Sequence, residues 1–161
     1  MLAIADPLDD NYRAMRTDHS IRQLFHDKGL RCTLQRRVIF EALAETSAHP
    51  TADQLFAMVR ERPDGVGVSL ATVYNTLDSF ASCGLVRRIP PRSASGPSRY
   101  DADCSEHVHV TMPDGRVLDV PEPLTRELLS GVTESLLRRI EDELGVRVDR
   151  VSIEITAAER D

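Results

Sequence analysis

Five residues stand out because side chains of their types can hold divalent metal ions. His107 and His109 lie two apart in His107-Val-His-Val-Thr-Met112, a stretch that alternates like a strand. Both imidazoles should therefore leave one face, while Val108 and Val110 leave the other. Pro113-Asp-Gly115 reads as a three-residue hairpin loop with glycine where the backbone needs positive φ, and Arg116-Val-Leu-Asp-Val120 returns from it. That loop sets the register. Met112 faces Arg116, so His109 faces Asp119 with Cβ atoms about 5 Å apart. Asp101 ends an extended segment just upstream, and His49 precedes a helix start marked by Pro50 and Thr51. Imidazole with carboxylate suits a borderline divalent ion such as Fe²⁺, Mn²⁺ or Zn²⁺. Each of these residues alone is more often a solvated surface group; the paired histidines opposite an aspartate raise the set above that.

The elements that must position these residues fall into two groups. Helical signals start at Asp18, a candidate N-cap, with Ile21, Leu24 and Phe25 on one face and Gly29 as the stop. A second helix follows Thr33, carrying Val38, Ile39, Ala42 and Leu43. Thr51-Ala-Asp-Gln54 is a capping box that opens a third helix through Leu55, Phe56 and Val59. Ser69 caps a fourth, which ends at Gly84. At 100° per residue, Leu70, Val73, Leu77 and Phe80 of this helix share one side. Ala71, Asn75, Asp78 and Ser82 lie opposite, with Tyr74 at the margin. Two short extended segments, 85–89 and 98–101, flank the Pro/Ser-rich stretch 90–97. Helices followed by a basic hairpin are the order of a winged helix-turn-helix. Beyond the histidine hairpin, residues 122–144 read as one amphipathic helix with Leu124, Leu128, Val132, Leu136, Ile140 and Leu144 in line, and Val151, Ile153 and Ile155 as a further strand. The expected fold class is α+β: an arm over 1–19, a winged-helix domain over 20–100 and a small α/β domain over 101–161. The second domain is small enough that pairing with another copy would help its stability.

Charge divides along the same line. Residues 20–99 hold eleven Lys or Arg against seven acids, net +4, whereas residues 101–161 hold seven Arg against fifteen acids, net −8. The overall charge of −6 therefore hides a basic module able to meet phosphates. With 161 residues, 41% hydrophobic and 29% charged, the chain is too apolar for disorder and long enough for a core that needs no staple. Its three cysteines, Cys32, Cys83 and Cys104, form no CxxC pair, which argues against a disulfide scaffold or a thiolate zinc knuckle. No run approaches the length of a spanning helix and the first residues are acidic, so a cytoplasmic protein without membrane contact is expected.

Several segments together resemble the ferric uptake regulator superfamily: Gly29-Leu-Arg-Cys-Thr-Leu-Gln-Arg-Arg37, His49-Pro-Thr-Ala-Asp53, Val68-Ser-Leu-Ala-Thr-Val-Tyr-Asn-Thr-Leu77, Gly84-Leu-Val-Arg87 and Arg99-Tyr-Asp101. The resemblance runs from about residue 22 to 156, and Ser69-Leu-Ala-Thr-Val-Tyr74 is its most specific part. It implies a homodimeric, metal-responsive transcription factor on double-stranded DNA. Within the superfamily, His49, Asp101, His107, His109 and Asp119 resemble the regulatory site of the peroxide sensors, whose iron-responsive and zinc-responsive relatives more often place Glu or a further His there. Thr111-Met-Pro-Asp114 stands where most members carry the first CxxC, so no structural zinc is expected. The haem-linked iron response regulators also lack that site, although a Cys-Pro haem motif is absent here.

The expected function is a metal-dependent repressor using Fe²⁺ or Mn²⁺, with Zn²⁺ as an occupant after purification, on a palindromic operator. Tyr74 would meet thymine methyls and Asn75 adenine, with Thr72 beside them, while Arg36, Arg37, Arg87, Arg88 and Arg92 hold phosphates. An iron-responsive regulator and, from another class, a small metalloenzyme with the same ligands remain the alternatives.

Overall fold

A computed structural model describes residues 18–91, 95–105, 107–148, 151 and 153–158. The expected N-terminal arm, the Asp18 cap and Arg92 lie outside the described residues or side chains. The chain divides after Ser105 into two compact units.

The first unit contains α1 (Asp18–Asp27), α2 (Leu34–Ala44), α3 (Ala52–Arg60), a 3₁₀ turn (Pro63–Gly65), α4 (Leu70–Ser82) and the antiparallel pair β1 (Arg87–Ile89) and β2 (Arg99–Asp101). Its helix starts follow the side chains expected of them. Thr33 accepts the Arg36 amide, Thr51 and Gln54 close a full capping box, and Ser69 accepts the Thr72 amide. The apolar faces of these helices meet around three phenylalanines. Phe25, Phe40 and Phe80 pack with ring centroids 5.4–5.9 Å apart, and none is more than 4% exposed. Val38, Ile39, Leu43, Leu55, Val59, Val73 and Leu77 complete the core with no more than 1% exposure. On α4, Val73, Leu77 and Phe80 are buried as the periodicity requires, and Thr76 joins them. This arrangement is the winged helix.

The second unit holds β3 (His109–Thr111), β4 (Val117–Asp119), α5 (Glu122–Ser130), α6 (Glu134–Leu144) and β5 (Glu154–Thr156) in a sheet ordered β4-β3-β5. β3 and β4 are antiparallel in the expected register, with His109 opposite Asp119, and Gly115 takes φ of 79° in the loop. β5 runs parallel to β3 and is shorter than the alternation over 151–155 suggested. His107 lies two residues before β3 rather than within it.

The single helix expected over 122–144 is two helices. A strict spacing of four drifts by about 40° per step in a helix of 3.6 residues per turn, so its five steps carry the stripe about 200° around. One straight helix cannot present all six residues to one surface. The chain breaks where Thr133 leaves helical geometry, at φ −84° and ψ 153°, and its side chain accepts the Leu136 amide to start α6.

Candidate metal site and nucleic-acid face

Each unit holds its own group of side chains of metal-ligand type. In the first unit, Pro50 and Thr51 set His49 against the start of α3, and β2 delivers Asp101 beside it. His49 Nε2 lies 3.6 Å from Asp101 Oδ2, and both residues are buried. His49 is the only described non-glycine residue with positive φ, at 46°. A non-glycine residue there costs about 1–3 kcal/mol, which the surrounding structure must impose.

The strand pair shapes the group in the second unit. His107 Nε2 and His109 Nε2 are 2.8 Å apart, and Asp119 Oδ1 lies 3.4 Å and 3.3 Å from them. Adjacent ligands on an ion with bonds of about 2.1 Å sit about 3.0 Å apart at right angles and about 3.4 Å apart in a tetrahedron. Two imidazole nitrogens and a carboxylate oxygen thus already stand at ligand spacing, and the donor set suits a divalent transition metal. The His49–Asp101 pair of the first unit is spaced more widely, at 3.6 Å.

The residues expected at DNA occupy varied settings. Tyr74 and Asn75 are exposed on α4, and Thr72 is bonded through its hydroxyl to Ser69. Tyr74 also donates its hydroxyl to Asp53 Oδ2 at 2.9 Å, and that bond holds the phenol above its ordinary pKa. Arg36 donates to the Arg31 carbonyl. Arg37 pairs with Glu41 at 3.0 Å and Asp64 at 3.7 Å, in a network that Arg62 extends to Glu45. Arg87 donates to the carbonyls of Cys104 and Ser105, and Arg88 lies over the Tyr100 ring and 3.6 Å from Asp78. The basic surface is therefore partly neutralised within the unit.

Sequence reasoning missed two participants. Arg99, read as a basic residue of the hairpin, turns to the His49 carbonyl, and Asp53, read as a capping-box spacer, holds Tyr74. The signal available for both was their place in the matched segments, which says nothing of what they touch.

A family model described as the ferric uptake regulator family matches residues 27–152. The peroxide-responsive repressor PerR of Staphylococcus saprophyticus is 34% identical over 103 residues, covering 63% of this chain and 67% of that protein. The chain thus matches about two thirds of that relative's length. A zinc-bound manganese uptake regulator superposes with a TM-score of 0.57 at 27% identity, covering 85% of this chain and 96% of that one. The ferric uptake regulator of Pseudomonas aeruginosa with manganese gives 0.64 at 23%, covering 87% and 98%. With winged helix, small α/β unit and family match all in place, the chain belongs to the ferric uptake regulator family and is a transcription regulator rather than an enzyme.

Proposed function

We propose that the protein is a metal-dependent DNA-binding repressor that senses peroxide through Fe²⁺ held by His49, Asp101, His107, His109 and Asp119, with Mn²⁺ as the unreactive substitute. The observation that carries this reading is the spacing of His107, His109 and Asp119 at 2.8–3.4 Å, a ready-made three-donor cluster. An ion bound also by His49 and Asp101 favours whichever arrangement of the two units brings all five donors together, and it shifts the population toward it by its binding energy. DNA affinity then follows metal occupancy.

Homodimerisation belongs to the same reading. The second unit has an apolar cleft lined by Val110, Leu118, Val120, Leu124, Leu128 and Ile155, and α6 buries none of its residues. A second copy of this unit covers those faces, and two winged helices then address a palindromic operator at fixed spacing. Tyr74, Asn75 and Thr72 read bases in the major groove; Arg36, Arg37, Arg87, Arg88 and Arg92 contribute to phosphate attraction.

Peroxide sensing draws support from the two aspartates in the site and from the peroxide-responsive relatives. Bound Fe²⁺ supplies the one-electron chemistry that lets peroxide oxidise a neighbouring imidazole, which Mn²⁺ does not readily do. An oxidised imidazole is a poor ligand, so His49 or His107 would loosen and the protein would leave DNA. The test is mass spectrometry of Fe²⁺-loaded and Mn²⁺-loaded protein after mild peroxide, with operator binding measured on the same samples. One added oxygen on the His49 or His107 peptide, in the iron sample only and with loss of DNA binding, is expected. Unmodified histidines with DNA binding that still depends on iron would make it an iron sensor.

A further inference from the structure

The left-handed backbone at His49 is held at its carbonyl by Arg99. Its guanidinium Nη1 donates to the His49 carbonyl at 2.9 Å and lies 3.3 Å from Gln54 Oε1. Gln54 is itself engaged in the capping box, accepting the Thr51 amide at 3.0 Å. The backbone of β2 grips the same segment independently: Arg99 bridges Thr51, and the Tyr100 amide donates to the Pro50 carbonyl at 3.1 Å. Two residues beyond Arg99, the same strand delivers Asp101.

We propose that Arg99 is a positioning residue for the metal site, fixing the His49 backbone through its carbonyl so that the imidazole stays beside Asp101. The proposal rests on the reading of His49 as a ligand. The physical argument is a balance of costs. A histidine at φ 46° carries strain that surrounding contacts must offset. A charge-assisted hydrogen bond to the carbonyl is among the stronger interactions able to hold such a conformation. A single guanidinium nitrogen, Nη1, reaches both the His49 carbonyl and Gln54 Oε1, ties the strained residue to a capped helix end, and places His49 and Asp101 on one stitched unit. Without it, His49 relaxes to φ below zero and its ring leaves Asp101 for most of the time.

The test uses the full-length protein and Mn²⁺ as probe, with free ion followed by electron paramagnetic resonance. Dissociation constants are measured for wild type, Arg99→Met, Arg99→Lys, His49→Ala and the double variant His49→Ala with Arg99→Met, alongside thermal unfolding of the metal-free forms. Partners that orient metal ligands typically contribute about 10–100-fold in affinity. Arg99→Met should lose affinity on that scale, Arg99→Lys should lose less, and the double variant should bind no more weakly than His49→Ala alone. Wild-type affinity in Arg99→Met overturns the proposal. An Arg99→Met loss that persists in full on the His49→Ala background also overturns it, because Arg99 would then not act through His49. Wild-type affinity in His49→Ala instead removes His49 from the ligand set. If Arg99→Met fails to fold, Arg99→Lys carries the comparison: wild-type affinity there overturns the proposal.

Discussion

The N-terminal unit closes a core on itself, with three stacked phenylalanines and a shell of aliphatic side chains at or near zero exposure. The C-terminal unit does the reverse: among its described residues the buried apolar side chains are Val108 and Val117, while Leu118, Leu124, Leu128, Leu136, Ile140 and Leu144 are each at least 37% exposed. Isolated exposed leucines need no explanation, but a row of them on two consecutive helices beside an apolar cleft does. The contrast separates two ways of being stable. One unit carries its stability within its own chain, and the other leaves apolar surface open that the proposed second copy would cover.

Replacing Leu124 and Leu128 together by Asp attacks that second source and should have the largest effect. Lost apolar burial plus the desolvation of two carboxylates exceeds about 5 kcal/mol of association energy. Sedimentation should show monomers, while the first unit keeps its near-wild-type amide protection. A variant that remains dimeric would place the interface elsewhere. In the other unit the matching blow is Phe80→Ala, which should cost about 3–5 kcal/mol in unfolding experiments without altering the association constant of the folded fraction. Loss of dimerisation from this change alone would erase the division of labour.

The recognition face allows a subtler comparison within the first unit. Tyr74 is 39% exposed at the edge of a helix whose inner face is fully packed, so its ring is free of the core that Phe80 anchors. Tyr74→Ala should leave folding and dimerisation intact and reduce discrimination between operator and unrelated DNA by about 1–3 kcal/mol. Fluorescence anisotropy with both DNAs at fixed salt measures it, and unchanged discrimination would remove Tyr74 from the base-reading set. Asp53→Ala, which leaves no acceptor for the tyrosine hydroxyl, sharpens the same experiment. It removes a negative charge, which should raise affinity for any DNA; only a fall in the ratio of specific to nonspecific binding reports the lost hold on the tyrosine hydroxyl.

Local rules were legible where they act alone. Thr51, Ser69 and the Pro113-Asp-Gly115 loop each decide a few backbone angles, so the helix starts and the His109 to Asp119 register follow from sequence. The face of α4 followed for the same reason, because periodicity and burial agree there. The break within 122–144 is less legible, because alignment in sequence is not alignment in space and the break rests on a single cap at Thr133. The tertiary partners of Arg99 and Arg37 are illegible for a different reason. A guanidinium has five donors and a long reach, so although Arg37 also pairs with Glu41 four residues on, its contact with Asp64, 27 residues away, and that of Arg99 with His49, 50 residues away, are set by tertiary neighbours that no local pattern encodes.

The smallest prediction uses one substitution in both units. Thr51 and Thr133 are each N-caps whose hydroxyls accept an amide three residues on, at 3.3 Å from Gln54 and 3.2 Å from Leu136. Their surroundings differ. Thr51 is buried, its capping box is reciprocal and β2 bridges it, whereas Thr133 is exposed and α6 buries none of its residues. Cap removal costs about 0.5–2 kcal/mol, depending on how far water can replace the lost acceptor. Water reaches the freed Leu136 amide readily and the freed Gln54 amide poorly. Thr133→Ala should therefore fall near the lower end and Thr51→Ala near the upper, read as loss of hydrogen-exchange protection at those two amides in the metal-free protein. Equal losses would mean that α6 is as firmly seated as α3, and the second unit would then be less dependent on a partner than its exposed leucines imply.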